Sequence, residues 1–68
     1  MNHVTIFGLH GRAWRIQGPR GRALLVRRSL RGLYGVRYAH GSPHSSRAVT
    51  GSQQQVLGLC ERFARRFC

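Results

Sequence analysis

Sixty-eight residues and 7.7 kDa leave room for one small basic domain, residues 1–68, near the size below which a hydrophobic core alone no longer supports a fold. All twelve basic residues are arginine, Glu61 is the only acid, and the formal charge is +11. The longest aliphatic run, Ala23 to Val26, is too short for a spanning helix or a signal-peptide core, so a soluble chain is expected.

The stretch "HVTIFGL" (3–9) is short and rich in β-branched and aromatic residues, which predicts a strand. After the turn "HGR" (10–12), "AWRIQ" (13–17) alternates Trp14 and Ile16 against Ala13, Arg15 and Gln17. The two form a hairpin with one wet face. "GPRG" (18–21) has proline second and glycine fourth, the pattern of a tight turn.

Residues 22 to 38 read better as two strands than as a helix, which would hold Gly32 and Gly35 inside it and scatter its arginines all round. "RALLVRR" (22–28) sets Leu24 and Val26 against Leu25 and Arg27. "LYGVRYA" (33–39) sets Tyr34, Val36 and Tyr38 against Leu33, Gly35 and Arg37, with "SLRG" (29–32) as the connecting turn. Residues 39 to 51 have the composition of a loop.

A capping box, Thr50 with Gln53 or Ser52 with Gln55, then opens a C-terminal helix. Val56, Leu59, Cys60, Phe63 and Phe67 recur at three- and four-residue intervals and predict its buried stripe. Glu61 stands four residues before Arg65, a favourable pair, and arginines crowd the last turn, where the helix dipole favours cations. The predicted fold is α+β: a small antiparallel sheet of three to four strands with one amphipathic helix on one face.

Cys60 and Cys68 are separated by about 12 Å of helix axis, beyond the reach of a disulfide. Cys60 belongs to the core and Cys68 to an exposed helix end, and a reducing, cytoplasmic compartment is the expectation.

Arginine pairs bidentately with phosphate and stacks on bases, so a single-sign surface of this kind attracts polyanions. The candidate contacts are Arg15, Arg27 and Arg37 on the wet sheet face, Arg12, Arg20 and Arg22 at the turns, and Arg62, Arg65 and Arg66 on the outer helix face. The competing reading of each is a solvated charge coat, but a coat normally mixes signs. Trp14, Tyr34 and Tyr38, interleaved with arginines, are either stacking platforms for bases or core residues, and a core this small needs most of them.

No cofactor is expected. "GPRGR" lacks the lysine and the strand-to-helix setting of a phosphate-binding loop, and there are no paired carboxylates and no acidic metal cage. His40, His44, Cys60 and Cys68 lack the spacing of a zinc site. His40 and His44 near Arg47 offer the acid–base groups of a metal-independent ribonuclease, with no second motif beside them. The chain is therefore read as non-enzymatic, without a small-molecule substrate.

Strands followed by a helix opening at "TGSQQQVLGLC" resemble double-stranded-RNA-binding domains over about a third of the chain. Gln53, Gln54 and Gln55 replace that family's basic residues and its first helix is missing, so no family is assigned. The function expected is binding of nucleic acid or a nucleoprotein through an arginine-rich face. The alternative is a small inhibitor or adaptor of the phage or mobile-element kind, anti-CRISPR-like or another anti-host factor, docking on an acidic protein. A membrane-surface role for the helix has less support, and a homodimer would help complete so small a core.

Overall fold

The computed structural model describes residues 3–41 and 45–68. Five strands, β1 (Thr5–Leu9), β2 (Ala13–Gln17), β3 (Ala23–Arg28), β4 (Tyr34–Tyr38) and β5 (Arg47–Val49), precede one helix, α1 (Gln53–Phe67). They form one antiparallel meander in the order β1-β2-β3-β4-β5, an α+β fold. The fifth strand corrects the expected three to four. Arg47–Val49 lies inside the segment read as a loop, and three residues are too few to display an alternation.

Trp14 pairs with Val26, Ile16 with Leu24, and Val26 with Val36, so these side chains share the face that α1 covers. Ile16, Leu24, Val26 and Tyr34 are buried there against Val56, Cys60, Ala64 and Cys68. Trp14 and Tyr34 lie with ring centroids 6.1 Å apart on this side. Tyr34 is 2% exposed, which makes it a core residue and not a stacking platform.

The helix opens as expected for the second capping box. Ser52 Oγ accepts from the Gln55 amide and Gln55 Oε1 accepts from the Ser52 amide. Its buried line differs from the expected stripe. Val56, Cys60, Ala64 and Cys68 face the sheet, while Leu59, Phe63 and Phe67 are 53%, 39% and 51% exposed. Small side chains at four-residue steps let the helix backbone lie close to the sheet, and the bulky rings are displaced to its flank. Cys68 is buried, contrary to expectation, because the β2–β3 turn folds over the helix end. The amides of Arg20 and Arg22 both donate to its carbonyl, at 2.7 and 3.0 Å. Both cysteines are free, and among the described residues no helix is long and apolar enough to cross a membrane.

Candidate functional site

The sheet face opposite α1 carries no covering element among the described residues. Strand register places the side chains on it. Phe7 pairs with Arg15, Arg15 with Leu25, and Leu25 with Arg37, so these four form one row across four strands. In the next row Leu9, Ala13, Arg27 and Gly35 are partners. Arg15 and Arg37 therefore stand two strand spacings apart, about 9–10 Å, with Leu25 between them.

The alternation read from the sequence explains this placement. Burying Leu24, Val26, Tyr34 and Val36 under the helix forces Arg27 and Arg37 onto the other face. Arg27 is exposed, whereas Arg15 and Arg37 are half-buried, as expected where methylene stems lie along a sheet. Arg15 Nη2 donates a long 3.4 Å bond to Gln17 Oε1.

A concavity running from the β1–β2 turn across β3 to β4 is lined by Leu9, Arg12, Leu25, Arg27 and Arg37 among others. Arg12 reaches it from a backbone with φ of 60°, a left-handed conformation that costs a residue with a Cβ about 1–2 kcal/mol. Glu61, the chain's only acidic side chain, is on α1, where its Oε1 accepts from Arg65 Nη2 at 2.9 Å. The open-face arginines thus have no carboxylate side chain to neutralise them.

The other candidate arginines are elsewhere. Arg20 Nη1 donates to the Arg65 carbonyl at 2.8 Å, so this guanidinium caps the helix end. Arg22 lies in the same turn, and Arg66 stacks 5.5 Å from the Phe67 ring centroid. Arg62 is exposed on the helix. The nine arginines thus split into an open-face group, Arg12, Arg15, Arg27 and Arg37, and a helix-side group, Arg20, Arg22, Arg62, Arg65 and Arg66.

Leu25 shares the open face with Arg27, as its alternation against Leu24 and Val26 predicts, whereas Phe7 and Leu9 are members of that face that the sequence reading passed over. The signal for these two is the alternation of Thr5, Phe7 and Leu9 against Ile6 and Gly8 within β1. His40 is exposed beyond β4, and His44 lies outside the described residues. Among the described residues no three His, Cys, Asp or Glu side chains converge as metal ligands would. Tyr38, Leu59 and Phe63 line a second, apolar groove between α1 and the β4–β5 edge, with Arg47, on the same face of the sheet, also lining it.

Comparison with protein-family models, curated proteins and solved structures returned no match.

Proposed function

We propose that this protein binds nucleic acid, without catalysing a reaction on it, through the open face of its sheet. The observation that carries the reading is the row Phe7, Arg15, Leu25, Arg37, flanked by Arg27 and Arg12, on a face with no acid. Guanidinium groups at intervals of one or two strands suit a phosphate backbone crossing the strands. Phe7, 48% exposed, offers a ring on which a base can stack. Free, buried thiols fit a reducing compartment, and we assign the protein to the cytoplasm on that ground.

The test is a titration of labelled single-stranded and duplex oligonucleotides over a salt series. Log affinity should fall linearly with log salt, by about 0.9 per phosphate contact on a duplex and about 0.7 on a single strand. Absence of binding at low salt contradicts the proposal.

The alternative, docking as an inhibitor or adaptor on an acidic protein, draws support from the groove of Tyr38, Leu59 and Phe63 with Arg47 beside it. Capture of one host protein that persists after nuclease treatment, and is lost in Phe63→Ser, favours that reading.

A further inference from the structure

We infer that β1 is a self-association edge, and that a second copy of this chain pairs with it antiparallel, with Phe7 on the two-fold axis. Among the described residues β1 is the only strand without arginine, and Ile6, Phe7 and Leu9 are each 40% or more exposed on it. Exposed edges are ordinarily guarded by charge, proline, a bulge or shortness. β5, the other edge, is three residues long and carries Arg47. β1 is five residues long with none of those guards. On a chain of charge +11, it is where two copies approach with least repulsion.

The hydrogen-bond pattern fixes which groups are free. The Gly18 amide donates to the Arg22 carbonyl and the Arg28 amide to the Arg12 carbonyl, so even-numbered residues of β2 bond toward β3. Odd-numbered β2 residues then bond Thr5, Phe7 and Leu9, leaving the N–H and C=O of Ile6 and Gly8 pointing out from the sheet. Centred on Phe7, Ile6 of one copy faces Gly8 of the other and both residues' free groups pair. The Phe7 rings meet in a non-hydrogen-bonded pair, where Cα atoms approach to about 4.5 Å.

The helix flank agrees. Ile6, Gln54, Leu57, Gly58 and Glu61 border one shallow groove beside β1. A Cβ on Gly58 would meet nothing within 4 Å, so no contact within the chain requires glycine there. A helix-interior glycine costs about 1 kcal/mol relative to alanine. A neighbour approaching this flank gives it a role. Glu61, the one acid, lies on the same flank, where it is ion-paired with Arg65. Pairing would join two open faces into one ten-stranded sheet, and the inference stands whether or not that face binds nucleic acid.

Sedimentation equilibrium on nuclease-treated protein tests it. The mass should rise with concentration toward twice 7.7 kDa, and dimer should strengthen with added salt as repulsion is screened, opposite to nucleic-acid binding. Gly8→Pro removes an outward N–H at an edge, where proline is tolerated, and should yield a monomer with an unchanged circular dichroism spectrum. Gly8→Lys, whose Cβ meets nothing within 4 Å, should do the same by like-charge repulsion. A monomer at every concentration and salt overturns the inference, as does a dimer that survives both substitutions.

Discussion

Gly18 and Cys68 pack backbone against side chain, so closely that a Cβ on Gly18 would lie 2.5 Å from Cys68 Cβ. Glycine is required here by space. With the Arg20 and Arg22 amides on the Cys68 carbonyl, this contact clasps the helix end to the β2–β3 turn. Gly18→Ala should cost about 1–3 kcal/mol in urea denaturation, by overpacking. A midpoint equal to wild type would mean that the clasp is loose.

Ala64 and Phe63 are neighbours with opposite tolerances. Ala64 is 0% exposed under the sheet, whereas Phe63 is on the flank, its ring centroid 4.8 Å from that of Phe67. Ala64→Leu should destabilise by about 1–3 kcal/mol, and Phe63→Leu by less than about 1.5 kcal/mol. The reverse order in thermal melts would restore Phe63 to the centre of the core.

Arg12 separates stability from binding. Arg12→Gly relieves the left-handed backbone and should raise stability by up to about 1 kcal/mol, after the entropy cost of glycine. The same change removes a rim guanidinium and should lower the duplex salt slope by about 0.9. A variant more stable and equally tight in binding would exclude Arg12 from the interface.

Burial pushes the Cys60 thiol above its ordinary value, and it does the same to Cys68 against an opposing effect of Arg22 and Arg20. The folded chain therefore holds these protons more tightly than the unfolded chain does. Their stabilising contribution is present below the ordinary thiol value of 9.0 and declines as pH rises past it toward the folded values. Stability should fall above about pH 9, less so in Cys60→Ala. Thiol reagents should react slowly at neutral pH until the chain is unfolded.

Much of the open face was legible because strand side chains alternate. Once Leu24, Val26, Tyr34 and Val36 are recognised as core, Arg27 and Arg37 have nowhere else to go. The capping box at Ser52 was equally readable, since both partners are local. The helix rotation was not. Periodicity alone ranks Phe63 above Ala64, but close packing of a helix on a sheet selects the small side chains. β5 escaped because it exists only by pairing with β4. The burial of Cys68 depends on a turn more than forty residues away in sequence.

On the proposed function, the open-face arginines serve a partner and not the fold. Replacing Arg27 and Arg37 together by glutamine separates the two roles, because Leu24, Val26, Tyr34 and Val36 lie on the other side of the sheet. Stability should stay within about 0.5 kcal/mol of wild type, the usual bound for surface changes. Duplex binding should weaken and lose up to about two units of salt slope. A double variant that binds with unchanged affinity and slope would show that these arginines only solvate the surface.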